Sequence, residues 1–233
     1  MIKKLPYFFQ STINNQQKII LNEETSKHCV RVLRMQVGEQ LQLTSGNGDL
    51  FTVEIIDANK NACVVKKIDE FFTAKNNKKI SIAISPLKNT NRFEWFLEKA
   101  TELGVTTITP LICKRTEKQH FKFERMQNIL IAAMLQSQQC YLPQLLEPIA
   151  ANDFIKNAAT KTKLIAHCLD EEKKQIQDFK SDDVLMLIGP EGDFTEEEIE
   201  FALQHQFKPV SLGNTRLRTE TAGVVAATLL QLG

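Results

Sequence analysis

The sequence predicts a two-domain α/β protein: a small β-barrel-like domain over residues 1–72, a linker over 73–79, and a parallel sheet covered by helices over 80–233. Three observations predict it. β-type runs broken by glycine-rich turns dominate the first third of the chain. The segment Thr-Ala-Lys-Asn-Asn-Lys-Lys at 73–79 is polar and basic throughout, as linkers are. From residue 80 onward strands alternate with helices, the pattern of a parallel sheet with helices on its faces.

In chain order, a helix is expected over 24–35, with Val30 and Leu33 facing inward and Arg31 and Arg34 outside. Strands over 39–44 and 50–56 flank Ser45-Gly46-Asn47-Gly48-Asp49, a strong turn signal, and 62–67 supplies a third. After the linker come a strand over 80–85, a helix over 91–103 and a strand over 106–112. Asn91 and Glu94 have the spacing of a capping box, and Gly104 stands where a left-handed C-terminal cap is expected. Phe93, Phe96, Leu97, Ala100 and Leu103 make the buried face of this helix, which leaves Trp95 for core or interface. Residues 164–167 read as a strand end. The apolar run 184–188 is short enough for a buried strand, and after it Thr195 and Glu198 form a second capping-box pair. Residues 209–212 are a short strand, followed by a largely buried helix over 221–232. Two glycine-bearing segments thus each join a strand to a helix, and such loops at the carboxyl ends of parallel strands are where open α/β sheets bind ligands. Two of them together suggest one pocket.

With 42% hydrophobic and 24% charged residues, the composition matches neither a disordered chain nor a membrane protein. The apolar residues around Pro6 and Gln10 are too few for a signal-peptide core, and no later run spans a bilayer, so cytoplasmic residence is the default expectation. Cys29, Cys63, Cys113, Cys140 and Cys168 are odd in number and widely spread, which suits reduced thiols. His28, His120, His167 and His205 lack metal-ligand spacing, so no metal is expected. The net charge of +1 conceals an asymmetry: residues 1–130 hold 20 Lys/Arg against 13 Asp/Glu (+7), and residues 131–233 hold 9 against 15 (−6). A basic half suits a phosphate backbone; it is equally an ordinary solvated surface.

The strings Gly-Pro-Glu-Gly-Asp-Phe at 189–194 and Leu-Gly-Asn-Thr-Arg-Leu-Arg-Thr-Glu-Thr-Ala at 212–222 resemble the cofactor-binding motifs of the small-subunit ribosomal RNA uridine N3-methyltransferases, the ribosomal RNA small subunit methyltransferase E family of the SPOUT superfamily. His-Cys-Val-Arg-Val-Leu-Arg-Met at 28–35 resembles the family's N-terminal RNA-domain signature. Phe-Glu-Trp-Phe-Leu-Glu-Lys-Ala-Thr-Glu-Leu-Gly-Val at 93–105 resembles its first catalytic-domain helix. The resemblance implies a PUA-like β-barrel that binds RNA, and a trefoil-knotted C-terminal domain that holds S-adenosyl-L-methionine and pairs as a homodimer. It also implies methylation of uracil N3 at a decoding-region uridine of 16S rRNA in the small ribosomal subunit. Another RNA target or ring position, or a non-catalytic RNA-binding assembly factor, are the competing readings.

On that resemblance the cofactor contacts are Leu164, Ala166, His167, Ile188, Gly189, Pro190, Glu191, Gly192, Leu212, Gly213, Leu217, Arg218, Thr219, Thr221 and Ala222. Isolated, any one of these glycines would be an ordinary turn residue. Transfer to N3 requires loss of the N3 proton, which a carboxylate can accept while an arginine stabilises charge on the uracil oxygens. Arg218 is therefore the electrostatic candidate, and Glu220 or Glu191 the base; the alternative is structural, an ion pair of Arg218 with either glutamate. N3 lies on the Watson–Crick edge, so the target must be unpaired or flipped. His28, Arg31, Arg34, Lys88, Arg92, Lys114, Arg115, Lys118 and Lys122 are the RNA-contact candidates. Phe121 and Phe123, interleaved with basic residues, suit either base stacking or core filling. His167-Cys168 is a poor nucleophile pair, because neighbours in a strand face opposite ways. The chain departs from the family at Leu135, where Glu is common, near Tyr7, where Arg is common, and at Asp193, where a second glycine is common.

Overall fold

A computed structural model describes residues 5–13, 16–117, 120–169 and 172–233. The chain forms two compact units, Met1–Lys75 with Met134–Leu142, and Asn76–Ala133 with Pro143–Gly233.

In the first unit β1 (Tyr7–Phe9), β2 (Lys18–Ile20), β3 (Gln40–Thr44), β4 (Asp49–Asp57) and β5 (Val64–Phe72) form one sheet in the order β1-β3-β4-β5-β2. Only β1 runs parallel to its neighbour. Alternate residues Leu41, Leu43, Val53, Ile55 and Val65 point into a core closed by Phe8 and Ile19. The β3–β4 turn is held by Asp49, whose carboxylate accepts from the Ser45 amide and hydroxyl, both at 2.6 Å. Tyr7, at a position of departure from the family, donates its hydroxyl to the Gln139 carbonyl at 2.9 Å.

The expected helix over 24–35 is α1 (Glu23–Lys27), capped by Asn22 and continued by a π-helical turn, His28–Val32. The Leu33 amide donates to the His28 carbonyl five residues back at 2.9 Å. This wider turn rotates the side chains away from a 3.6-residue period. Cys29 is the residue sealed in the core, while Leu33, expected inside, is 43% exposed. Arg31 and Arg34 are exposed as expected.

The second unit contains β6 (Lys79–Ile84), α2 (Thr90–Glu102), β7 (Thr107–Ile112), α3 (Phe123–Gln136), β8 (Gln144–Leu145), β9 (Ile149–Ala150), α4 (Ala151–Asn157), β10 (Thr162–Ala166), β11 (Lys174–Gln175), β12 (Asp183–Ile188), α5 (Glu196–Gln204), β13 (Lys208–Ser211) and α6 (Thr219–Leu232). The sheet order is β11-β13-β10-β12-β6-β7-β8, with β9 paired to β7, and every pair is parallel. Helices on both faces explain why β12 is buried from Val184 to Ile188. Helix α6 packs on β6, β12 and α2. It approaches so closely at Gly223 that a Cβ there would lie 2.6 Å from Phe96 and 2.9 Å from Ile84.

The start of α2 differs from expectation. Asn89, not Asn91, is its N-cap, accepting from the Asn91 amide at 3.0 Å. Glu94 instead binds Arg125 Nε and Nη2 at 2.5 and 3.0 Å, a charge-assisted pair stronger than a cap to a neutral amide. Gly104 ends the helix at φ +78°, in the left-handed conformation expected of it. Leu103 is only partly buried, and Trp95 is 43% exposed, which excludes a core role for it.

Candidate active site

Four parallel strands, β13, β10, β12 and β6, lie side by side and end on the same edge of the sheet. Ala166 of β10 pairs with Ile188 of β12, and Ile188 with Ile84 of β6, so these carboxyl ends are level. The loops that leave them carry the residues expected at the cofactor site. Leu164, Ile188, Gly189 and Pro190 are buried at or beside the strand ends, His167 is buried just beyond β10, and Ala166 is partly buried. Glu191, Gly192 and Gly213 are exposed on the loops, Leu212 and Leu217 partly buried. Thr219 and Glu220 are buried in the first turn of α6, with Thr221 and Ala222 partly buried behind them.

Cross-links hold the loops in place. Asp193 sits at φ +63°, a conformation glycine adopts more readily, which accounts for the residue type common at this position. Its carboxylate accepts from the Phe194 amide at 2.8 Å and from the Cys168 amide, across the sheet edge, at 2.7 Å. It therefore fastens the β12 loop to the β10 exit. Lys173 secures that exit by donating to the carbonyls of His167, at 2.9 Å, and Leu169. Arg115 Nη1 donates to the Gly192 carbonyl at 2.7 Å and the Phe194 carbonyl at 3.3 Å. At Gly189 a Cβ would stand 3.0 Å from the Phe194 ring and 3.1 Å from its amide nitrogen, so a side chain there would require Phe194 to give by a few tenths of an ångström. The expected Thr195–Glu198 box forms, and buried Glu198 also accepts from the Lys114 amide at 2.8 Å.

The charged centre differs from the sequence reading. The cation that meets both candidate glutamates is Arg92: Nη1 lies 3.2 Å from Glu191 Oε1, and Nε 3.7 Å from Glu220 Oε1. Arg218, the electrostatic candidate, is the exposed N-cap of α6 and makes no ion pair among the described residues, so the alternative of an Arg218 ion pair with either glutamate does not form. The reason is the sheet order: β6 adjoins β12, so the helix after β6 starts against the β12 loop. Glu220 keeps only 8% of its side-chain surface exposed, and its Oε2 has no hydrogen-bond partner among the described residues. A buried carboxylate oxygen left without a donor costs stability, which singles Glu220 out as a candidate functional residue.

Of the remaining RNA candidates, Lys88 is exposed and paired with Glu117 at 2.9 Å, Lys114 is exposed and 3.9 Å from Glu197, and Lys122 is exposed. His28, Arg31 and Arg34 are exposed on the first unit. Lys118 lies outside the described residues. Arg92 and Arg115, expected on RNA, hold the loops; the signal that could have found this is their place beside a strand end, since neither has a partner nearby in sequence. Cys168 is exposed, but burial of its sulfur and the adjacent Asp193 carboxylate push the thiol pKa up, which argues against a nucleophile there. Among the described residues no group of three or more His, Cys, Asp or Glu is placed to hold a metal ion, and no helix is long and apolar enough to cross a membrane.

Residues 74–231 match the family model of the RNA methyltransferase domain, and residues 21–68 that of the RNA methyltransferase PUA domain. The chain is 27% identical to the ribosomal RNA small subunit methyltransferase E of Rickettsia conorii over 97% of this chain and 94% of that one. It is 38% identical to a probable rRNA-methyltransferase from Porphyromonas gingivalis, with a TM-score of 0.89 over 96% and 95% of the two chains. A methyltransferase from Legionella pneumophila, solved in complex with the bound cofactor SAM, is 33% identical, with a TM-score of 0.89 over 98% of each chain. With the domain model spanning most of the chain and likeness extending from end to end, this protein belongs to the RNA methyltransferases of the ribosomal RNA small subunit methyltransferase E family.

Proposed function

We propose that this protein transfers a methyl group from S-adenosylmethionine to N3 of a decoding-region uridine in 16S rRNA. The observation that carries the assignment is Glu220, a buried carboxylate in the first turn of α6 whose Oε2 has no donor among the described residues, set beside two loops that leave adjacent strand ends. The cofactor fits this setting: the glycines of the two loops let the backbone approach an adenosine. When bound, it supplies the methyl group and its own leaving group.

The residues divide the work. Leu164, Ala166, His167, Ile188, Gly189, Pro190, Gly192, Leu212, Gly213, Leu217, Thr219, Thr221 and Ala222 hold the cofactor. Glu220 accepts the proton that leaves uracil N3 as the N3–methyl bond forms; Arg218, exposed at the N-cap of α6, stabilises the charge that develops on the uracil oxygens. Glu191, exposed and tied to Arg92, keeps its loop in register.

The same reading assigns RNA docking to a domain of residues 1–72 through His28, Arg31 and Arg34, a linker to 73–79, and a trefoil-knotted transferase domain to 80–233. Exposed Trp95 supports a homodimer contact along α2. The substrate is the small ribosomal subunit, which places the activity in the cytoplasm. Labelled S-adenosylmethionine incubated with small subunits that lack their modifications tests the assignment, with the product nucleoside identified by mass spectrometry. N3-methyluridine is the expected product. A different methylated nucleoside would move the target, and cofactor binding without transfer would turn the reading toward an assembly factor.

A further inference from the structure

The chemistry above leaves without a role a concavity of the second unit that lies beside the first turn of α2. A pocket of about 260 Å³ opens between the loop after β6, the first turn of α2 and the start of α3. Its floor is apolar and closed: Leu87 and Phe93 are each 2% exposed and Met126 is 3% exposed. One wall is Phe121, a partly buried ring standing edge-on to Phe93 with 5.8 Å between centroids. The rim is cationic. Lys122 is exposed and makes no ion pair among the described residues, and Arg125 is fixed by its two bonds to Glu94.

We infer that this pocket takes one unstacked base of the single-stranded RNA that flanks the methylated uridine, a reading that rests on the proposed RNA methyl transfer. Size favours a single base: 260 Å³ falls just below the roughly 300–1,000 Å³ of pockets that enclose whole drug-sized ligands. Chemistry favours a nucleotide over a purely apolar ligand. An aromatic wall and a thioether floor suit the π face of any base, while free Lys122 at the mouth meets the phosphate that a base carries with it. Position agrees. Thr90 and Phe93 line the pocket, and Arg92, in the same turn of α2, holds Glu191 of the β12 loop. The pocket and the β12 loop therefore meet the same turn of α2, within reach of one RNA strand.

The test uses the full-length protein and a fluorescent oligouridylate of about ten nucleotides, with affinity read by anisotropy and cofactor affinity read separately by calorimetry. Phe121→Ala is expected to weaken the oligonucleotide about 5- to 150-fold, the loss that follows removal of one base–aromatic stack, and to leave cofactor affinity unchanged. Phe121→Leu keeps the packing against Phe93 but removes the π face, and is expected to lose affinity by a similar factor. Phe121→Trp is expected to retain it. Lys122→Gln should lower the salt dependence of binding by about one phosphate contact. Wild-type affinity in Phe121→Leu, or no oligonucleotide binding by the wild-type protein, overturns the inference. Neither result touches the methyl-transfer assay on small subunits, so failure of the pocket and failure of the methyltransferase reading are separable.

Discussion

Arg92 and Glu220 divide two functions that one ion pair would have confused. Arg92 spans from Glu191 Oε1 at 3.2 Å to Glu220 Oε1 at 3.7 Å, and Glu220 Oε2 has no hydrogen-bond partner among the described residues. Loss of a positioned proton acceptor typically costs about 10²–10⁴ in rate. Glu220→Gln is therefore expected to lower the single-turnover rate of methyl transfer by at least about 10²-fold, with cofactor affinity held within a few fold. Arg92→Ala should behave differently. It leaves Glu220 buried without its cation and the β12 loop without its link to α2, so both cofactor affinity and rate should fall, with Arg92→Lys restoring only part because one ammonium cannot serve two carboxylates as a guanidinium does. Equal kinetic effects of Glu220→Gln and Arg92→Ala would remove the distinction between acceptor and positioning residue.

The elements around the site rest on two glycines that fail for separate reasons. A Cβ at Gly223 would meet Phe96 at 2.6 Å, so Gly223→Ala forces the Phe96 ring or α6 to shift; overpacking of this kind costs about 1–3 kcal/mol, read as a lowered Tm. At Gly189 the added methyl would press on Phe194 at 3.0 Å and its amide at 3.1 Å. Gly189→Ala should therefore weaken the cofactor more than it lowers Tm, because the strain falls on a loop. These elements were legible in the sequence where burial follows a simple period. β12 is covered on both faces and reads as an unbroken apolar run, and α5 announces itself by the Thr195–Glu198 box. The turn at His28–Val32 was not legible, since a π-helical turn shifts the inward residue from Leu33 to Cys29 without any mark in composition. Nor could the Arg92–Glu191 pair be read, because 99 residues separate its partners and only the adjacency of β6 and β12 brings them together. At the Asn89 cap a local rule met a competing long-range bond: Glu94 had the spacing for a box, but Arg125 lies close enough to take it.

Across the whole molecule, the buried thiols and phenol set an alkaline limit that neither unit escapes. In the first unit burial pushes the Cys29 thiol up to about 12 from an ordinary 9.0, and burial also raises Cys63 and Tyr7; in the second it raises Cys113. The sign follows from linkage. Each group stays protonated in the folded chain at a pH where the unfolded chain would already ionise, so the folded state binds more protons and stability falls as pH rises. The contribution is complete below about pH 9 and, for Cys29, is lost progressively between pH 9 and about 12. Tm is therefore expected to stay level from pH 7 to 8 and to drop steadily above 9. Cys29→Ala separates this from general alkaline damage. The variant should melt lower at pH 7.5, since a fully buried side chain has been cut back, yet lose less Tm than the wild type between pH 9 and 11 because one ionising thiol is gone. Melting curves that fall in parallel over that range would show that Cys29 does not set the limit.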